Sequence, residues 1–150
     1  MSDIAVIYDP DKSTFSWSVT KPGLTQDAGL ETAVLLSLFS DRIAREDDVL
    51  PSGDDRRGWW ADVYSDIEGD AWGSRLWLLS REKQTSETLR RAEEYASEAL
   101  QWLIDDRVVS SVKCTAQIIR TGVLGLTVVM TRGKNLSTKY RFETFWKNGN

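Results

Sequence analysis

Histidine is absent from this chain. Ser–His and Cys–His nucleophile pairs are therefore excluded, as are the common histidine-bearing zinc sites. Cysteine occurs once, at Cys114, so no disulfide can close within the chain. That residue stands in an alternating apolar run and reads as a small buried hydrophobe in a protein made for a reducing compartment. Long apolar runs are missing too: the longest candidate, Ala33 to Phe39, falls far short of the ~20 residues that span a bilayer. The opening MSDIAVIYDPDK has no basic segment before an apolar one, so no secretory signal is expected. An excess of cations is also lacking. The formal net charge is −4 and the signs read as mixed along the chain, whereas nucleic-acid binding needs Lys and Arg gathered on one face. The expectation is a soluble cytosolic product with neither a nucleic-acid nor a membrane partner.

What remains is enough for one ordinary domain. A chain of 150 residues buries roughly 70% of its unfolded surface without disulfides. The spacing predicts an N-terminal hairpin over 1–22, a helical part with a long loop over 28–107, and antiparallel strands over 108–147. In the hairpin, Ile4 to Tyr8 and Phe15 to Thr20 flank a turn-forming Asp9-Pro10-Asp11-Lys12-Ser13, and Phe15, Trp17 and Val19 alternate with polar residues as a buried face. After the turn-rich KPGLTQD, a helix is predicted from Leu30 to about Ala44, its wide apolar stripe implying cover on more than one side. A second helix starts at the Thr85 N-cap, buries Leu89, Ala92, Ala96, Ala99, Leu100 and Leu103, exposes Arg90, Glu93, Glu94 and Glu98, and stops near Asp105-Asp106. Three strands follow, with Val112, Cys114, Ala116 and Ile118, then Leu124, Leu126, Val128 and Met130, then Tyr140, Phe142, Thr144 and Trp146 alternating, and turns at Gly122 and Gly133. Two main helices packed on a small antiparallel sheet, with an N-terminal β-hairpin, make an α+β domain.

The region between the helices holds the chemistry-bearing residues. Its centre is DDRRGWW, residues 54–60, and such a long loop needs anchoring. Trp59, Trp60 and Trp72 are the expected anchors. Gly58 would let the chain bend so that one of Trp59 and Trp60 enters the core while the other covers the loop or a partner, and Arg56 or Arg57 would pair with a carboxylate. Asp54, Asp55, Asp62 and Glu68 beside these tryptophans supply the residue types of a glycoside hydrolase, although acids beside bases in a loop are more often paired surface. Arg75, within the apolar GSRLWLLS, reads as pairing with Asp54, Asp55 or Asp62, as an exposed arginine, or as a partner contact. Asp66, Glu68 and Asp70 have a calcium-loop spacing, but Ala71 and Trp77 stand where that loop needs glycine and glutamate; Asp9 and Asp11 fail likewise. RGKNLS around Gly133 lacks the P-loop's first glycine and is a hairpin turn. No catalytic residue, metal or cofactor is expected.

Three stretches taken together, LETAVLLSLFSDRIA, DDRRGWWAD and GSRLWLLSREKQTSETLRRAEEYASEALQWLIDD, resemble the baseplate protein family of Mu-like contractile-tailed phages. The resemblance runs from about Asp3 to Asp106 and is less distinct beyond Val108. That family is similar to the sheath-initiating wedge proteins of contractile tails, some of which have been described as lysozyme-like. In those relatives a Glu-Pro-Arg motif follows the last helix; here Asp105-Asp106-Arg107 stands there without the proline. The resemblance implies a non-enzymatic structural component of the tail baseplate, assembled in the host cytoplasm into the virion. It would join other wedge proteins, stand in several copies in a ring around the tail tube, and initiate or anchor the sheath by strand addition. A tail-associated peptidoglycan hydrolase using the loop carboxylates is the alternative. The expected partner-interface residues are Arg56, Arg57, Trp59, Trp60, Arg75, Asp106, Arg107, Tyr140 and Phe142.

Overall fold

In a computed structural model of the chain, the described residues are 3–4, 6–9, 14–17, 19–20, 23–24, 26–27, 30–58, 60–64, 66–67, 71–133 and 136–145. The N-terminal region is a nest of short antiparallel pairs. Strand β2 (Val6–Asp9) pairs with β3 (Thr14–Trp17), Val6 opposite Trp17 and Asp9 opposite Thr14, which is the expected hairpin. The pairing extends further than expected. β4 (Val19–Thr20) pairs with β5 (Gly23–Leu24), and β6 (Gln26–Asp27) returns to β1 (Asp3–Ile4), so the turn-rich KPGLTQD carries two strands. Phe15, expected to be buried, is 37% exposed. It lies on a two-stranded ribbon, which cannot by itself make a core. Val6 N–H donates to Thr32 Oγ1 at 3.2 Å and ties the ribbon to the first helix.

That helix, α1 (Glu31–Phe39), buries Val34, Leu35, Ser37 and Leu38, in keeping with its wide apolar stripe. It stops short of Ala44. Ser40 is extended (φ −88°, ψ 139°), because the chain leaves the helix to run beside Ser74. Arg42 N–H donates to Ser74 O at 3.0 Å, and Ser74 N–H to Ser40 O at 2.9 Å. The approach depends on Gly73, whose φ of +96° suits glycine and whose added Cβ would lie 2.5 Å from Ser40 O. Beyond it, the ambiguous GSRLWLLS is a 3₁₀ helix over Arg75–Leu79 that buries Leu78 and Leu79.

Helix α2 (Ser86–Asp105) begins as expected, with Thr88 N–H donating to the Thr85 side chain at 3.3 Å and Glu87 in the first turn. Its buried stripe includes Thr88 and Tyr95 besides the expected alanines and leucines, while Leu89 is partly buried. It ends in a Schellman motif: Val108 N–H reaches Leu103 O and Arg107 N–H reaches Ile104 O, both at 2.9 Å. Arg107 occupies the left-handed position at φ +58°, where glycine is usual. Strands β7 (Ser111–Arg120), β8 (Val123–Arg132) and β9 (Leu136–Phe145) then form an antiparallel sheet in chain order. The two helices and this sheet make the fold α+β. One core cluster joins Val34 and Leu38 of α1, Ala96, Leu100 and Leu103 of α2, and Leu126, Val128 and Met130 of β8. Phe39 meets Phe142 of β9 edge-on at 5.9 Å. Ile118, expected inside, is 37% exposed, and a register irregularity between Ile118 and Arg120 breaks the alternation there.

Candidate functional site

The long inter-helix loop is held by arginines. Arg56 reaches back to the carbonyl of Arg45 at 2.5 Å, while Ala44 N–H donates to Arg56 O at 2.9 Å. Arg57 pairs with Asp41 at 2.5 Å and lies 4.6 Å over the Trp77 ring, whose indole N–H donates to Arg42 O at 2.8 Å. Both the expected arginine–carboxylate pair and the bend are present. Arg57 has φ +54°, and Gly58 has φ +108° with its Cβ position 2.9 Å from Ile43 Cβ, so the bend is drawn tightly against Ile43. Asp55 accepts from Arg57 N–H at 2.9 Å, and Asp62 accepts from Trp72 N–H at 3.2 Å. Two of the four loop acids with hydrolase-like character therefore brace the backbone. Glu68 and Trp59 lie outside the described residues, and so does the Trp60 side chain. Trp72, the third expected anchor, packs 6.0 Å from Trp102, whose N–H donates to Ser37 Oγ at 3.0 Å.

Arg75 has an acidic partner, but not among the acids expected. It is 4% exposed; its Nε donates to Glu98 and its Nη1 to Asp48, both at 2.8 Å. Asp54 and Asp55 are exposed on a different part of the loop, and Asp62 faces Trp72. Glu98 also holds Arg45, and Asp48 accepts from Arg45 N–H at 2.7 Å, which closes a four-residue cage over the Tyr95 ring, 4.3 Å from the Arg75 guanidinium. Burial works against the Arg75 charge, but hydrogen bonds to Glu98 and Asp48 and their proximity outweigh it and raise its pKa. Sequence reasoning missed Glu98 by placing it on the solvent face of α2. Its signal was the position of Glu98 three residues after Tyr95, on the flank of the apolar stripe.

The sheet offers two edges, and they differ. On β7, Ala116 N–H donates to Glu93 Oε1 at 2.9 Å, so a side chain of α2 takes up a donor in the middle of that edge. β9 pairs only with β8 among the described residues, from Val123 opposite Phe145 to Arg132 opposite Leu136. Tyr140 and Phe142 lie on its inner face, stacked at 6.3 Å, with Phe142 buried and Tyr140 partly buried. Asp106 is exposed at the end of α2, and Arg107 lines a cleft of about 370 Å³ with Ile104, Val109 and Arg132. The cysteine is inert by position. Cys114 is buried beneath α2, and that burial pushes its pKa up, opposed by a hydrogen bond with Ser97 and reinforced by the charge of Glu93.

Comparison with known proteins bears on what these features serve. The family model described as phage protein GP46 matches residues 30–136. The chain belongs to this phage GP46 family. It is 42% identical over 146 residues to the baseplate protein gp46 of Escherichia phage Mu, covering 95% of this chain and 96% of that one. It is 36% identical over 147 residues to the Mu-like prophage FluMu protein gp46 of Haemophilus influenzae, covering 97% of this chain and 98% of that one. The GP46 match takes in the arginine clasp, the Arg75 cage, Arg107, and all of β7 and β8. It therefore extends past the Asp106 boundary of the sequence resemblance and well into the sheet.

Proposed function

We propose that the chain is a structural protein of the virion tail baseplate, that it joins neighbouring wedge proteins, and that it anchors the tail sheath by accepting a strand at the outer edge of β9. The baseplate role is supported by membership of the GP46 family and by the Mu relative's name. The docking role rests on one observation. β9 presents a ten-residue edge with no strand partner among the described residues, whereas on β7 Glu93 takes up the central Ala116 donor. A long unpaired edge is a ready template for strand addition, which folds normally avoid exposing without use. Several copies around the tail tube would present such edges as a ring.

The test is a proline scan of β9 over 138–144 in a phage that depends on this protein. Proline at an outward N–H removes a donor to the incoming strand but leaves the β8 ladder intact. The expected result is folded protein, baseplates that contain it, and tails that fail to polymerise sheath. Normal sheath on every proline variant would overturn strand addition at this edge, and absence of the wild-type protein from baseplates would overturn the baseplate role. Purified protein should also leave peptidoglycan intact; lysis abolished by Asp55→Asn or Glu68→Gln would replace the structural reading with the hydrolase.

A further inference from the structure

Charge in this chain is segregated, contrary to the mixed pattern read at first from the sequence. From position 111 onward there are seven Lys or Arg against one Asp or Glu, while the first 110 residues hold twelve against twenty-two. The sheet is thus a basic body attached to an acidic one. Strand register gathers part of this charge on one face. Lys113 lies opposite Val129, which lies opposite Lys139; one row along, Thr115, Thr127 and Arg141 align in the same way. These residues alternate with buried Cys114, Ala116, Val128 and Phe142, so they face away from the helices. All three cations are exposed, and none of their side chains makes an ion pair or hydrogen bond among the described residues. Glu143, the one acid on β7, β8 or β9, lies on this same face opposite Gly125, two positions beyond Arg141, so the three cations outnumber a single acid there.

We infer that this outer face of the sheet docks the acidic surface of another protein. Like charges held about 10 Å apart across a three-stranded sheet repel one another, and an apposed acidic surface relieves that repulsion. Between the cations lie Thr115, Thr127, Val129 and Thr131, short side chains that leave the face flat enough for close apposition. The arrangement favours a protein over a nucleic acid for two reasons. Glu143 shares this face with Lys139 and Arg141, and an acid at that place repels a continuous phosphate backbone. A polyanion longer than the ~33 Å strands would also run on into the acidic body of the same molecule, where it is repelled. That the partner is a tail protein rests on the proposed function; its acidic character rests on the sheet alone.

The experiment uses the purified full chain with polyglutamate as an acidic polypeptide probe and a duplex DNA of equal charge as competitor. Binding to polyglutamate should weaken steeply between about 50 and 300 mM salt. It should fall about tenfold in Lys139→Glu/Arg141→Glu, which reverses two exposed, unpaired charges. The control Arg81→Glu/Arg90→Glu changes net charge equally on the acidic body and should bind like wild type, with circular dichroism verifying that every variant is folded. No polyglutamate binding, equal loss in the control, or tighter binding to DNA would each overturn the inference. In phage, exclusion of the sheet variant from baseplates supports it. Normal incorporation overturns it while leaving the baseplate role intact, and absence of the wild-type protein counts against that role instead.

Discussion

Replacing Arg75 with methionine keeps much of the side chain's length and removes its charge. Two carboxylates then lose their shared partner: Asp48, with its side chain 9% exposed, and Glu98, at 18%. Breaking a buried pair from one side costs about 3–5 kcal/mol, because the remaining charge is stranded away from water. Here Glu98 keeps Arg45, and Asp48 keeps the Arg45 N–H, so the expected loss lies near the lower end. The contact with the Tyr95 ring is worth about 1 kcal/mol more. A net destabilisation of about 4 kcal/mol should lower the melting temperature by roughly 8–16 °C for a chain of this size. The assay is urea and thermal unfolding followed by circular dichroism. The companion variant Arg75→Met/Asp48→Leu/Glu98→Met removes every buried charge of the cage and leaves Arg45, 57% exposed, in water. It should recover most of the loss, since an apolar replacement of a buried ion cluster is often neutral or better. A loss below about 1 kcal/mol in Arg75→Met, or a triple variant less stable than the single one, would refute the account of the cage.

Two further outcomes follow from the backbone and the core. Gly73→Ala should cost at least about 2 kcal/mol in chemical denaturation, since the left-handed conformation alone costs 1–2 kcal/mol and the new Cβ meets the backbone of Ser40; a neutral result would mean that the α1 exit is not fixed by this contact. Because the thiol pKa of Cys114 is raised in the folded state, its stabilising contribution is complete below the thiol's unfolded pKa and is lost as pH rises through the folded value. Stability should therefore fall on the alkaline side more steeply in the native chain than in Cys114→Val, and alkylation of the folded protein should be slow at neutral pH; parallel pH–stability curves would sink this explanation.

The regular elements were legible because their signals are local. Thr85 capping α2, the alanine–leucine stripe behind it, and the alternation of Leu124, Leu126, Val128 and Met130 each depend on neighbours a few residues away. The misjudged positions depend on contacts distant in sequence. α1 ends at Phe39 because Ser40 and Arg42 bond to Ser74, a partner that no helical pattern announces. Arg75 chose Asp48 and Glu98 over nearer acids because the 3₁₀ turn and α2 converge there. Ile118 keeps its register opposite Leu124 but is 37% exposed at the end of the regular pairing, just before the irregularity at Arg120. Charge segregation was present in the sequence from the start, but it gains meaning only when register places Lys113, Lys139 and Arg141 on one face.

The shared core has a consequence for biosynthesis. Val34 and Leu38 of α1 belong to one core cluster with Leu126 and Val128 of β8, some ninety positions later. A ribosome adding about 5–20 residues per second leaves that cluster incomplete for roughly 5–20 s. The cage is delayed as well, since Asp48 and Arg75 wait for Glu98. α2 and the three strands, joined by short turns, close chiefly on their own neighbours and can form as soon as they emerge. The order of assembly expected from these contacts runs against the order of synthesis, with the C-terminal half closing first and α1 docking onto it; pulsed hydrogen exchange during refolding would test it.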